Sequence, residues 1–189
     1  ETMVLLGIGL VFFFQAMLAL IQYRSSAEAL QQIVYWSMGS LTRANWAANG
    51  VLAAVLIIAL PILWVLGWRL TALRLGDARA TAMGINTSRL RVVVLIVVSL
   101  VAATTVAFAG IIGFIGLVGP HIARMLVGED QRYFLPASMA AGAAVMCAAH
   151  AVSLMIKPGL AIPIGIVTSL LGVPFFIAIV MTRRRALWT

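Results

Sequence analysis

The chain has 189 residues, of which 63% are hydrophobic and only 10% are charged. A soluble domain is charged at about a quarter of its residues, so this composition argues against a water-exposed globular domain and predicts a chain surrounded by lipid. The formal net charge is +8. Such an excess would suggest nucleic-acid binding in a soluble protein, but in a membrane protein it is expected of the cytoplasmic loops.

Five apolar stretches approach or exceed the length of about 20 helical residues that a bilayer requires. They cover Met3 to Gln22, Trp46 to Leu66, Val92 to Leu117, Leu135 to Ile156 and Ile162 to Met181. The segment from Ala27 to Met38 is polar and aromatic, which predicts a short helix along the membrane surface. Pro61 predicts a kink in the second stretch. The chain enters its first apolar stretch after only two residues, which suggests a fragment that lacks earlier spans.

The arginines constrain the number of crossings. Eight of them form two groups, in one loop at Arg69, Arg74, Arg79, Arg89 and Arg91 and in the tail at Arg183 to Arg185. Both groups are expected on the cytoplasmic side, so an even number of crossings must separate them. This condition is met if the third stretch divides at the glycines of 110–116, into one span ending at about Ala109 and a short one ending at about Val127. The sequence therefore predicts an all-α, polytopic transmembrane bundle with about six crossings.

The loop of residues 67–91 contains the pattern G-D-x-x-A-x-x-x-G. Its members are Gly76, Asp77, Ala80 and Gly84. The pattern predicts a short helix with small residues on one face and a glycine at its end. Small residues let another protein approach the backbone closely, and the flanking charges allow complementary pairing. Docking of a soluble partner and an ordinary solvated loop helix both fit this pattern.

A second motif combines glycines, a proline and charged side chains. Its members are Gly113, Gly116, Pro120, His121, Arg124, Gly128, Asp130 and Arg132. Glycine permits a sharp turn or close helix packing. Proline lacks a backbone donor, so a break here is expected to be buried in protein or to line a cavity. We expect His121 to cap backbone carbonyls rather than bind a metal, and the last two charges to be solvated.

The last apolar stretch has a third motif, which consists of Pro163, Gly165, Thr168, Gly172 and Pro174. A broken helix beside a cavity and a plain kinked helix both fit it. In the preceding stretch, His150 is a candidate functional residue because ionisable groups are costly within a membrane. A neutral histidine bonded to a neighbouring helix is the alternative. Cys147 is expected to be a small buried hydrophobic residue, and no metal site is predicted.

Several motifs of enzymes and nucleotide-binding proteins are absent from the sequence. There is no G-x-x-x-x-G-K-[ST] loop for ATP, no H-E-x-x-H and no G-x-S-x-G. The five acidic residues fall in predicted loops or at the first residue. An enzyme is therefore not expected, no cofactor is predicted, and the spread of the basic residues over several loops disfavours nucleic acid as a partner.

Four stretches resemble, in order and spacing, the FecCD-type permeases of iron–siderophore, haem and vitamin B12 importers. They are residues 35–40, 76–84, 110–138 and 163–176. The resemblance implies that residues 1–189 form a single transmembrane permease domain, part of a roughly ten-span protein without its N-terminal spans. It further implies pairing with a second copy or a paralogous half, two cytoplasmic ABC ATPase subunits, and a periplasmic or lipid-anchored binding protein, all at the bacterial cytoplasmic (inner) membrane.

The resemblance also suggests roles for individual segments. Residues 76–84 resemble the segment that couples to the ATPase, and the first and last spans resemble helices that line the pathway. Family members typically have an acid where His150 stands, an arginine where Leu154 stands and a glutamate where Ala161 stands. That arginine contacts the binding protein, so Lys157 becomes the candidate to replace it.

The function implied is that of an ABC importer permease for an iron chelate, either a ferric siderophore or haem or cobalamin. A secondary transporter driven by an ion gradient is an alternative that fits broken helices, although it usually has acids at membrane depth. A membrane assembly subunit without transport activity is another alternative, suggested by the missing family residues. No residue in the sequence distinguishes among the cargoes.

Overall fold

The computed structural model describes residues 2–156 and 162–185, and over these residues the chain forms eight α-helices and no strand. The helices are α1 (Thr2–Arg24), α2 (Ala27–Ser37), α3 (Trp46–Leu73), α4 (Asp77–Ala82), α5 (Thr87–Ala109), α6 (Ile115–Val127), α7 (Gln131–Ile156) and α8 (Ile164–Arg185). The all-α prediction is confirmed.

The chain divides into two compact units, Glu1–Ser37 and Met38–Thr189. The first unit contains α1 and α2. From Val4 onward nearly all of the apolar side chains of α1 are exposed, as expected of a helix whose surroundings are lipid or other membrane helices. The second unit contains the other six helices and all three sequence motifs.

Four helices are long and apolar enough to cross a bilayer, namely α1, α3, α5 and α7. Two shorter apolar helices, α6 and the Ile164–Ile179 part of α8, complete the six elements that correspond to the predicted crossings. At 1.5 Å per residue α6 is about 20 Å long, whereas the hydrocarbon layer is about 30 Å thick. By itself α6 therefore reaches only part of the way across.

The helix starts follow from local capping. The Asn45 side chain accepts a hydrogen bond from Ala48 N at 2.8 Å at the start of α3, and Asn86 does the same for Arg89 N at 2.9 Å at the start of α5. The helix α3 continues to Leu73, beyond the predicted end of the second span at about Leu66. Arginine and leucine are good helix formers, so the helix continues past the end of its apolar stretch.

The predicted division of the third stretch is confirmed. α5 ends at Ala109, the chain turns through residues 110–114, and α6 begins at Ile115. Gly110 has φ 77° and Phe114 has φ 66°, both in the left-handed region. The break does not lie at Pro120, because this residue is inside α6. Proline removes only one backbone donor, and a membrane helix tolerates that loss.

The broken-helix interpretation of the third motif is wrong, because α8 runs without interruption through Gly165, Thr168, Gly172 and Pro174. Pro163 lies just before its first residue. The expectation that Cys147 is buried is also wrong, since it is exposed on α7. Apolar side chains of a membrane helix can face lipid as readily as protein, so hydrophobicity alone does not indicate burial inside the bundle.

Candidate functional site

The predicted 67–91 loop is mostly helical, with α4 as a separate short helix between the end of α3 and the start of α5. Gly76 has φ 101° before α4 and Gly84 has φ 78° after it. These are left-handed conformations that favour glycine, so each glycine allows a sharp change of direction. The predicted short helix with a glycine at its end is confirmed.

One small side chain anchors α4 to the rest of its unit. Ala80 is 0% exposed and packs in a cluster with Ala72 of α3 and with Ile85 and Leu90 around the start of α5. The small size of Ala80 therefore serves packing within this chain, rather than the approach of another protein.

The exposed side of α4 also carries small residues. Ala78 and Ala82 are exposed, and because they are four positions apart they lie on the same helix face. Met83, which follows α4, is 56% exposed. A partner can therefore approach the α4 backbone closely at Ala78 and Ala82, two residues that the sequence pattern did not single out.

The first charge of the motif has a partner within the chain. Asp77 Oδ1 lies 2.7 Å from Arg91 Nη2, and both side chains are 54% exposed. An exposed ion pair contributes at most about 1 kcal/mol. Its main effect here is to hold the start of α4 against the first turns of α5.

A second ion-pair cluster links the α3–α4 connection to the α6–α7 connection. Arg74 Nη2 lies 2.6 Å from Glu129 Oε2, and Arg74 Nη1 donates to the Glu129 backbone oxygen at 3.1 Å. Arg124 Nε is 3.5 Å from Glu129 Oε1. The Gln131 amide donates to Thr71 Oγ1 at 3.1 Å. These contacts place the first two motifs at the same end of the second unit.

Other residues of the second motif have structural partners. The His121 ring packs edge-to-face on Phe175, with ring centroids 5.5 Å apart, in place of the expected capping of carbonyls. Gly128 ends α6 with φ 77°. Asp130 and Arg132 are exposed as predicted, and Asp130 Oδ1 accepts a hydrogen bond from the Arg132 amide at 3.0 Å.

A close crossing of α6 and α7 was missed from the sequence. A Cβ on Gly119 of α6 would lie 3.1 Å from Gly142 Cα and 3.2 Å from the Ser138 backbone oxygen, so α6 and α7 meet almost backbone to backbone. Gly116, which the motif includes, has open space around it, and a Cβ on Gly113 would make only an ordinary contact with Ser169.

At the other end of α5 and α7, three segments are joined by backbone hydrogen bonds. The Ser40 amide donates to Ala109 O at 2.8 Å, the Ile164 amide to Gly39 O at 3.2 Å, and the Gly165 amide to Met38 O at 3.0 Å. This junction contains the start of the third motif.

Two buried hydroxyls complete the junction: Ser153 donates to Ile162 O at 2.6 Å and Thr168 to Gly165 O at 3.2 Å. Further along α8, the Phe114 side chain packs directly on Gly172. Lys157 and Ala161 lie outside the described residues.

Comparison with known proteins gives a consistent family. The profile of the FecCD transport family matches residues 1–182. The hemin transport system permease protein HmuU of Yersinia pestis is 35% identical over 183 residues, which cover 96% of this chain and 54% of HmuU. The molybdate import system permease protein MolB of Haemophilus influenzae is 36% identical over 184 residues, covering 97% of this chain and 54% of MolB.

A solved structure shares the fold. An inward-facing conformation of a metal-chelate type ABC transporter matches with a TM-score of 0.89 at 36% identity, covering 94% of this chain and 58% of that one. The chain spans about half the length of the curated relatives it matches. These relatives are permease subunits, a class that is not enzymatic, and the apolar helices indicate a multi-pass membrane protein. By its sequence and its fold, the chain belongs to the FecCD transport family.

Proposed function

We propose that this chain is part of the transmembrane permease subunit of an ABC importer that carries an iron chelate across the bacterial cytoplasmic membrane. A separate ATPase subunit hydrolyses ATP, and this chain does no chemistry on its cargo. The observation that supports this most strongly is α4, an exposed helix at the arginine-rich end whose outer face is lined by Ala78 and Ala82 and whose inner face is fixed by Ala80.

The contacts around α4 suggest how a movement of the ATPase reaches the membrane helices. Ala80 and the Asp77–Arg91 pair fix α4 to α3 and α5. The Arg74–Glu129 pair links the same corner to the turn between α6 and α7. A displacement of α4 would therefore shift several helix ends together, which is what coupling to a change of access requires.

The basic residues around α4 support a cytoplasmic location for this end, by the positive-inside rule. The far end, with the junction of residues 38–40, 109–111 and 162–165, would then face outward. We propose that the binding protein docks on that side, with Lys157 as the contact that replaces the family arginine, and that a second copy or a paralogous half completes the pathway.

The cargo is proposed from the relatives. A hemin permease and a metal-chelate type transporter favour an iron chelate. The molybdate permease is equally similar, so overall similarity alone does not choose the cargo. An ion-driven carrier is disfavoured because, in residues 2–156 and 162–185, the acids Glu28, Asp77, Glu129 and Asp130 all lie outside the four long spanning helices.

Replacing Ala82 with tryptophan is expected to reduce co-purification of the neighbouring ATPase with the full-length permease at least tenfold, a loss of about 1.4 kcal/mol. The indole would occupy the exposed face of α4 and block close approach, while the buried side at Ala80 is untouched. Gly84 is a poorer position for this test, because its φ of 78° would strain any side chain.

The matched control is Ala103→Trp, which places the same ring at an exposed position in the middle of α5. This variant should retain the ATPase. If Ala82→Trp also retains it while remaining folded, the outer face of α4 is not the contact surface.

A further inference from the structure

A groove of about 460 Å³ lies between the last turns of α3 and the first turns of α5, beside α4. Two arginines line it, Arg69 from α3 and Arg89 from α5, together with Trp68, Leu66 and Val93. Trp68 is 43% exposed, and the Arg69 guanidinium carbon lies 5.7 Å from the centroid of its ring. Met83 and Gly84, which follow α4, also line the groove, whereas Ala78 and Ala82 do not.

The chemistry of the groove changes along its length. On α3, Leu66 is about one turn before Arg69, and on α5, Val93 is about one turn after Arg89. Because α3 leads toward α4 and α5 leads away from it, both arginines lie at the loop end, where Met83 and Ile85 also line the groove, and Leu66 and Val93 lie deeper along the spans. Both cationic groups are therefore at the mouth of the groove, and its deeper part is apolar.

The two arginines lack acidic partners in the described part of the chain. The ion pairs of this region join Arg74 to Glu129 and Arg91 to Asp77 instead. The Asn86 side chain, which also lines the groove, already caps the amide of Arg89. A ligand that enters here therefore meets two guanidinium groups whose charge the described side chains do not neutralise.

We propose that this groove binds an anionic phospholipid of the adjacent leaflet, with its phosphate on Arg69 and Arg89 and an acyl chain along Leu66 and Val93. Arginine matches phosphate through paired hydrogen bonds, and tryptophan favours the headgroup level that Trp68 would occupy. An acidic protein segment would neutralise the arginines but leave the apolar part of the groove uncovered. A phospholipid would neutralise the arginines with its phosphate and cover the apolar part with an acyl chain. The inference does not depend on ATPase docking.

The test is native mass spectrometry of the purified full-length permease in detergent, titrated with phosphatidylglycerol or with phosphatidylcholine of the same acyl chains. The wild type should retain phosphatidylglycerol preferentially. The double variant Arg69→Gln/Arg89→Gln should lose about thirtyfold in affinity, from about 1 kcal/mol per arginine. Arg79→Gln, an exposed arginine of α4 outside the groove, should retain wild-type binding.

Three outcomes would overturn the proposal. An equal loss in Arg79→Gln would indicate a general basic surface, and displacement of the lipid by inorganic phosphate alone would indicate a free-anion site. Unchanged lipid binding in a double variant that loses the ATPase would assign the groove to a protein contact. If the double variant does not fold, Arg89→Gln alone serves, with about a fivefold loss expected.

Discussion

Replacing Gly165 with alanine is expected to destabilise the protein by about 3 kcal/mol, and purified yield should fall with it. A Cβ at this position would overlap the Met38 backbone oxygen and lie 3.1 Å from Ile111 O. The backbone would have to move, and the hydrogen bonds from Ile164 to Gly39 and from Gly165 to Met38 would stretch with it. Unpaired buried backbone groups cost about 1 to 3 kcal/mol each.

The matched control, Gly50→Ala, is expected to increase the stability of the protein instead of lowering it. Gly50 is inside α3 with open space around it, and alanine is about 1 kcal/mol more favourable than glycine in a helix interior. Unfolding in mixed detergent micelles, followed by the far-ultraviolet helix signal, compares the two variants. Equal stabilities would show that the junction of residues 38–40, 109–111 and 162–165 does not form as described.

Replacing Gly119 with leucine is expected to destabilise the bundle by about 2 to 3 kcal/mol, because α6 and α7 would be pushed apart where they meet. Even the first carbon of the new side chain would lie 3.1 Å from Gly142 and 3.2 Å from Ser138 O. Since α6 is too short to span the membrane by itself, its position depends on this packing. The midpoint of heat-induced aggregation, measured by size-exclusion chromatography in detergent, reports the loss.

Gly116→Leu is the control for this experiment, since Gly116 is on the same helix and has open space around it. The midpoint of heat-induced aggregation of this variant should stay near that of the wild type. If Gly119→Leu were as stable as Gly116→Leu, the close crossing of α6 and α7 at Gly142 would be contradicted.

The positions of the apolar helices could be predicted because hydropathy and charge act locally. Each apolar stretch corresponds to a helix, and the separation of the arginine groups required the third stretch to divide, which it does between Ala109 and Ile115. Proline was a poor guide: Pro120 and Pro174 both lie inside helices, because a membrane helix tolerates the loss of one hydrogen bond.

The packing partners could not be predicted, because they depend on residues distant in sequence. Nothing in the sequence distinguishes Gly116 from Gly119. Gly119 is a contact residue only because α7 passes close beside it. The pattern Ser138-x-x-x-Gly142 is a small-xxx-small signal that would have indicated a close crossing. No local sequence pattern predicts the left-handed backbone of Phe114, because the contact of its side chain is with Gly172 of α8, a residue distant in sequence.

The motif located the short helix that we propose as the coupling surface, but not its orientation. A helix of only six residues is too short for periodicity to show which side is buried, so the motif alone does not indicate that Ala80 faces inward. The link from Arg74 to Glu129 joins residues 55 positions apart, and an acid in a loop gives no indication of its partner.

Uptake of a radioactive ferric chelate into proteoliposomes tests the proposed function most directly. The full-length permease would be reconstituted with and without the ABC ATPase proposed as its partner, and supplied with its binding protein and ATP. We expect uptake that requires both the ATPase and ATP, stops with vanadate, and is lost in Ala82→Trp but not in Ala103→Trp. Uptake that follows an imposed ion gradient in the absence of the ATPase would contradict the account and identify a secondary transporter.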